Sequence, residues 1–208
     1  MNYRRPLETI VPGVLGRVLG VLTRTEAELT MRTVAQLADV SVNRAVTVLN
    51  ELVSLGIVER RDAGSSALVR LAHDNEAARS ITQLGQLYER VVTRLEKEAG
   101  RIAPMPASVV LFGSFARGEA DNASDIDVLI VRPDDLSEGD ERWTDAVGRW
   151  TSRAQRTTGN PVNVVEVGAS EVPRLLRRRG SVWSNIAEEG RVLAGADLQS
   201  LATGTRAS

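Results

Sequence analysis

The chain has 208 residues, 42% of them hydrophobic, and a formal net charge of −1 at pH 7. It has no cysteine, which excludes disulfide bonds and thiolate metal sites, and its single histidine leaves oxygen atoms as the ligands for any metal. It shows neither an apolar signal segment at its start nor a run of about 18 apolar residues, so we expect a cytoplasmic protein without a membrane span.

The first third of the chain has the pattern of several helices followed by a hairpin. Apolar residues at helical spacing predict three helices, over residues 12–24, 33–40 and 42–56. Thr33 and Ser41 are expected to cap the second and third helices, and Gly56 to end the third. Residues 57–72 read as two short strands around a Gly/Ser turn.

This order of elements, over about residues 12–72, resembles a winged helix-turn-helix domain of bacterial regulators. The resemblance implies binding to double-stranded DNA. The outer face of helix 42–56 carries the candidate base-contacting side chains, Asn43, Arg44 and Thr47. Arg60 and Arg61 lead into the predicted wing, where they would contact phosphates. The alternative is a helical module that forms a homodimer or docks a protein, with these polar residues only solvated.

The second third begins with a helix that is expected to link two domains. Its apolar residues recur at steps of three and four, at Ile81, Leu84, Tyr88, Val91 and Leu95. Two prolines, Pro104 and Pro106, are expected to end it. We therefore predict a first domain over 1–74, a linker helix over 75–106, a second domain over 107–195 and a flexible tail over 196–208.

The second domain has alternating strands and helices, and the expected fold class of the chain is α+β with a mixed sheet in this domain. The predicted strands cover residues 108–114, 125–131 and 160–167, with a helix around 143–156 and two helices over 170–195. A basic cluster, Arg177, Arg178 and Arg179, is interpreted as a solvated helix end, with a site for an acidic partner, RNA or phosphates as the alternative.

The strings "LFGSFARGEA" and "SDIDVLIV" carry a second resemblance. Gly113-Ser114 followed by Asp125-x-Asp127 resembles the signature of polymerase-beta-type nucleotidyltransferases, and most of all their minimal branch, over about residues 107–195. Two carboxylates two residues apart on a strand face the same way and repel each other, unless a divalent cation such as Mg²⁺ or Mn²⁺ binds between them.

The resemblance implies that Asp125 and Asp127 are catalytic metal ligands and that Gly113 and Ser114 seat a nucleoside triphosphate, most often ATP. Arg117, about one turn further on, is expected to neutralise a phosphate.

The third carboxylate that such enzymes generally carry on the next strand has no obvious counterpart. Its position falls on Asn163, which can ligate a metal weakly but cannot act as a base. Glu166 is the only acid in the strand, and regular pleating would point it to the opposite face, although a bulge would change this. Either residue is a candidate to complete the metal site.

Two functions follow from these patterns. The first is a magnesium-dependent nucleotidyltransferase that moves an NMP, such as AMP, from an NTP onto a hydroxyl acceptor, fused to a DNA-binding domain. The second is a DNA-binding transcriptional regulator or antitoxin-type protein, whose nucleotidyltransferase domain binds nucleotide but is catalytically weak. The resemblance to minimal nucleotidyltransferases also implies a toxin–antitoxin role with a protein partner.

Overall fold

The computed structural model describes residues 1–64, 66–121, 123–178 and 182–204. The chain divides into two compact units. The N-terminal unit comprises Arg4–Tyr88 with Asn2, and the C-terminal unit comprises Glu89–Ser208 with Met1 and Tyr3. Both contain helices and a sheet, so the α+β fold class is confirmed. Every helix within the described residues is too short or too polar to traverse a lipid bilayer.

The N-terminal unit combines helices with a three-stranded antiparallel sheet. Its helices are α1 (Pro6–Ile10), α2 (Val14–Leu22), α3 (Met31–Leu37), α4 (Val42–Ser54) and α5 (Glu76–Gly85). Its strands are β1 (Leu29–Thr30), β2 (Val58–Ala63) and β3 (Ser66–Leu71), in the order β1-β3-β2. An aliphatic core joins the helices to the sheet, with Val18, Val34 and Leu49 fully buried within it.

The ends of these helices differ in part from the expectation. Thr30, and not Thr33, caps α3, because Thr30 is extended and its side chain accepts a hydrogen bond from the Thr33 backbone N–H. Ser41 occupies the N-cap position of α4 without a side-chain hydrogen bond to the helix. Gly56 follows α4 with a φ of +69°, a left-handed conformation that suits the glycine expected there.

The predicted linker helix is two helices, α5 and α6 (Leu87–Ala99), and the boundary between the units follows Tyr88. Gly85 ends α5 in close contact with Thr23, since a Cβ on this glycine would lie 2.6 Å from the Thr23 Oγ1. The second helix ends at Ala99, several residues before the prolines that were expected to end it.

The C-terminal unit is built around a four-stranded mixed sheet. Its strands are β4 (Ser108–Phe112), β5 (Ile126–Arg132), β6 (Val162–Gly168) and β7 (Arg191–Gly195), in the order β6-β5-β4-β7. The remaining helices are α7 (Gly113–Ala116), α8 (Glu141–Thr158), α9 (Val172–Leu176), α10 (Val182–Glu189) and α11 (Leu198–Thr203). Strands β5 and β6 are parallel, because α8 carries the chain from the end of one back to the start of the other. The other pairs are antiparallel.

The last fifty residues depart most from the expectation. The predicted pair of helices over 170–195 is wrong at its end, because β7 takes residues 191–195 and pairs with β4. Residues 198–203, expected in the tail, form α11 with Leu198 buried. Arg179 of the basic cluster and residues 205–208 of the tail lie outside the described residues.

Candidate functional site

Two carboxylates stand at the start of the central strand β5. Asp125 directly precedes the strand and is exposed, and Asp127 is its second residue and half-buried. Residues two apart in an extended chain point to the same face of the sheet. Among the described residues, no Arg, Lys or His forms an ion pair with either carboxylate, and the Asp127 side chain accepts no hydrogen bond. Like charges are therefore held side by side without a cationic side chain to compensate them.

The turn after β4 lies directly against this pair. Phe112, the last residue of β4, pairs with Asp127 in the sheet, so the following residue, Gly113, is brought next to the Asp127 side chain. Gly113 has a φ of +73°, and a Cβ at this position would lie 2.7 Å from the Asp127 Oδ2. Only glycine fits this conformation and this close approach. Half-buried Ser114 follows it in α7.

Asn163 joins the pair from the neighbouring strand. Its backbone pairs with Asp127 in the parallel β5–β6 register, and its side-chain Nδ2 donates a hydrogen bond to Asp125 Oδ2 at 3.0 Å. A carboxylate oxygen only accepts, so the amide must present its NH₂ group to Asp125. The residue at the position of the missing third acid therefore contacts the pair and stabilises its charge.

Glu166 lies on the other face of β6. Its Oε1 accepts hydrogen bonds from Arg132 Nε and from Trp143 Nε1, both at 3.0 Å. The register between β5 and β6 is regular through this region, so no bulge turns Glu166 toward the carboxylate pair. Of the two candidates for a third metal ligand, only Asn163 is brought to the site. Glu166 instead anchors α8 to the sheet.

Arg117 is held by two acids. Its Nε donates to Glu119 at 2.9 Å and its Nη1 to Glu189 at 3.3 Å. These interactions, chiefly the hydrogen bond to Glu119, raise the pKa of the Arg117 guanidinium above its ordinary value. The side chain is charged and exposed, but a phosphate would have to compete with two carboxylates for it.

The loop that leads into Asp125 is anchored by a residue that sequence reasoning missed. Asn160, only 1% exposed, donates hydrogen bonds from its Nδ2 to the backbone carbonyls of Asp121 and Ser124, at 3.2 and 2.8 Å. The available signal was an asparagine before a proline at the start of a strand. Asn160 therefore fixes the backbone directly before the first carboxylate.

Tyr3 packs beneath the same region. Its ring meets that of Phe115 edge-on at 5.0 Å, and its hydroxyl donates to the Thr158 carbonyl at 2.6 Å. Burial raises the pKa of Tyr3 to about 12, so the hydroxyl stays protonated and keeps donating. Tyr3 thereby joins Phe115, which follows Ser114, to Thr158, which lies two residues before Asn160.

The residues expected to contact DNA lie in the N-terminal unit. Asn43, Arg44 and Thr47 are exposed on α4, on the face opposite its buried residues. In β2, Arg60 forms an ion pair with Asp62 at 3.1 Å and Arg61 forms a short one with Glu28. The helix face is thus accessible, and the two arginines are exposed but paired.

Comparison with known proteins shows what the C-terminal unit is similar to. Residues 92–191 match the family model of the nucleotidyltransferase domain, a range that includes the carboxylate pair, Gly113 and Asn163. Over this range the chain is therefore similar to a nucleotidyltransferase domain. None of the curated proteins matches the chain significantly.

Three solved structures are similar to parts of the chain at low TM-scores. A mutant of the MntA–HpeT toxin–antitoxin complex has 18% identity and a TM-score of 0.36, over 55% of this chain and 82% of that one. A toxin–antitoxin structure with AMP-PNP has 21% identity and a TM-score of 0.35, over 56% and 82%. TrmBL2, an archaeal chromatin protein, has 19% identity and a TM-score of 0.30, over 89% and 74%. We draw no functional conclusion from likenesses at these TM-scores.

The anchoring role of Asn160 can be tested by Asn160→Ala. The change leaves two backbone carbonyls without their donor, and we expect the free energy of unfolding in urea to fall by about 2 kcal/mol. Amide hydrogen exchange should accelerate in residues 121–125. Asn163→Ala is the matched control, because it removes an exposed amide with one hydrogen bond and should cost less than about 1 kcal/mol. Equal losses in the two variants would contradict the anchoring role.

Proposed function

We propose that the C-terminal unit is a metal-dependent nucleotidyltransferase that moves an NMP, with AMP as the first candidate, from a nucleoside triphosphate onto a hydroxyl acceptor. The observation that supports it is the pair Asp125 and Asp127 on one face of β5, with Gly113 packed against Asp127 Oδ2 inside the matched nucleotidyltransferase domain. A structural role alone would not explain two adjacent carboxylates without a cationic partner among the described residues.

The donor atoms at this site fit Mg²⁺ or Mn²⁺. Both ions prefer oxygen ligands, and Asp125 and Asp127 offer carboxylate oxygens that no Lys or Arg in the described part of the chain neutralises. The described residues contain no cluster of three His, Cys, Asp or Glu, so the remaining ligands would come from water and substrate phosphates. Such an ion would polarise the triphosphate and favour attack of the acceptor hydroxyl on its α-phosphorus, with pyrophosphate as the leaving group.

The side chains around the pair would divide the remaining work. Gly113 leaves room beside Asp127, and with Ser114 it would seat the triphosphate. Asn163 holds Asp125 through its amide and cannot accept a proton, so the proton of the acceptor hydroxyl would have to leave to water or to a basic group elsewhere on the acceptor. Slow turnover is the expected consequence. Arg117 would bind a phosphate only if it first released Glu119 or Glu189.

The assignment is tested by label transfer from α-labelled NTP with Asp127→Asn. We expect transfer to fall by more than about a hundredfold, because a metal ligand is lost while the side-chain shape is kept. Glu166→Gln is the matched control, since it neutralises an acid of the same sheet that faces away, and its transfer should stay within about threefold of wild type. Equal labelling by wild type and Asp127→Asn would refute the assignment.

The role of the missing third acid is tested by Asn163→Asp. Three adjacent carboxylates repel one another, so without divalent ions Tm should fall by about 2–4 °C, and MgCl₂ should reverse the loss. A base next to the pair should also raise label transfer by about tenfold or more. Thermal unfolding in EDTA and in MgCl₂, with the label assay, measures both effects. A variant that neither gains Mg²⁺ dependence nor transfers faster would contradict the proposed arrangement.

The second candidate is a DNA-binding regulator or antitoxin-type protein whose nucleotidyltransferase domain binds NTP with little turnover. The hydrogen bond from Asn163 to Asp125 favours it, because it puts a neutral amide where the resemblance implies a third acid. In this proposal the N-terminal unit is a winged helix-turn-helix, with α4 as the helix that enters the major groove. A homodimer would match a palindromic DNA site, and a protein partner is expected to copurify.

DNA binding is tested by gel shift with the DNA upstream of the gene for this chain. The variant combines Asn43→Ala with Arg44→Ala. Losing base contacts should weaken specific binding by about tenfold to a hundredfold while weak non-specific binding remains. Arg142→Gln, an exposed arginine of the C-terminal unit, is the control and should bind like wild type. If the Asn43→Ala and Arg44→Ala double variant binds the same DNA with unchanged affinity, α4 is not the recognition helix.

A further inference from the structure

Helix α8 has two faces of opposite character. Its inner face is buried, with Trp143, Ala146 and Trp150 among the buried residues. Its outer face carries Arg149, Arg153 and Arg156, all exposed, over about 10 Å of helix axis. Helix α6 and the turn after it add two more exposed arginines. We call the surface formed by Arg94, Arg101, Arg149, Arg153 and Arg156 the arginine groove.

The arginine groove contains cavities that share lining residues. Three cavities of about 470, 580 and 120 Å³ lie along it, and Arg153 lines all three. All of their lining residues belong to the C-terminal unit. The groove is therefore large enough for several units of an extended ligand.

The groove carries an excess of positive charge. Two of its arginines are paired, Arg94 with Glu98 at 3.3 Å and Arg149 with Asp145 at 3.9 Å. Within the described residues, Arg101, Arg153 and Arg156 form no ion pair. Unpaired guanidinium groups along one helix face are the arrangement that neutralises successive phosphates.

The floor of the groove holds two polar atoms that lack partners. Glu98 Oε2 and Trp150 Nε1 are buried, and neither has a hydrogen-bond partner in the described part of the chain. Both residues line the smallest of the three cavities. One atom accepts and the other donates, so buried water, which does both, would satisfy them beneath the arginines.

We propose that the arginine groove binds the backbone of an RNA duplex. The arginines would pair with phosphates, while the Ser152 and Thr157 hydroxyls in the lining suit the 2′-hydroxyl that RNA has and DNA lacks. Base stacking is not the mode of binding, because the aromatic side chain among the lining residues, Trp150, is buried. This surface acts independently of the carboxylate pair and of nucleotidyl transfer.

The test is fluorescence anisotropy of the full chain with a labelled RNA hairpin of about 16 base pairs, titrated at several salt concentrations. Arg153→Gln combined with Arg156→Gln should weaken binding by about tenfold and reduce the slope of log affinity against log salt by about 2. Arg142→Gln, on the same helix but away from the cavities, should bind like wild type. Glu98→Gln removes a negative charge from the groove and should tighten binding.

Each alternative has its own outcome. An unchanged affinity of the double variant for the hairpin overturns the proposal. The assignment to RNA is overturned if the double variant loses as much affinity for a DNA duplex of the same sequence as for the RNA. It is also overturned if wild type binds polyglutamate more tightly than RNA. Asp127→Asn should bind the hairpin like wild type, so loss of nucleotidyl transfer and loss of RNA binding are told apart.

Discussion

Two like charges at the start of one strand are the constraint on which the C-terminal unit depends. Asp125 and Asp127 share a face of β5, and the surrounding chain accommodates their repulsion. Gly113 has no side chain and so leaves room for the Asp127 carboxylate, and Asn163 donates a hydrogen bond to the Asp125 carboxylate. Asn160 donates hydrogen bonds to the loop that precedes Asp125. Such a cluster costs stability unless a cation is bound between the carboxylates.

The two polar residues of β6 show how a strand separates chemistry from structure. Asn163 and Glu166 are three residues apart, so the pleat puts them on opposite faces. The neutral amide meets the carboxylate pair, whereas the acid accepts from Trp143 and Arg132 and ties α8 to the sheet. The acid of β6 is therefore engaged in packing, away from the carboxylate pair.

Helix α8 connects the candidate site to the arginine groove. Its C-terminal end leads within two residues to Asn160, which contacts the loop before Asp125, and its outer face carries Arg153 and Arg156. An acidic centre and a basic surface thus belong to one helix and the strands it joins. Their charges suit different parts of nucleotide chemistry, since the acids hold cations and the arginines hold phosphates.

The sequence by itself determined the features that depend on local periodicity: the main helices, the cores of β4 and β5, and the opposite directions of Asn163 and Glu166; Gly113, predicted at the end of a strand, instead begins α7. Its apolar and polar spacings follow the helix and strand repeats, which act within a few residues. Only the tertiary structure decided that residues 191–195 pair with β4 and that Asn160 supports the loop, because these contacts join segments far apart in the chain. The spacing of apolar and polar residues within one segment does not specify which distant segment it will contact.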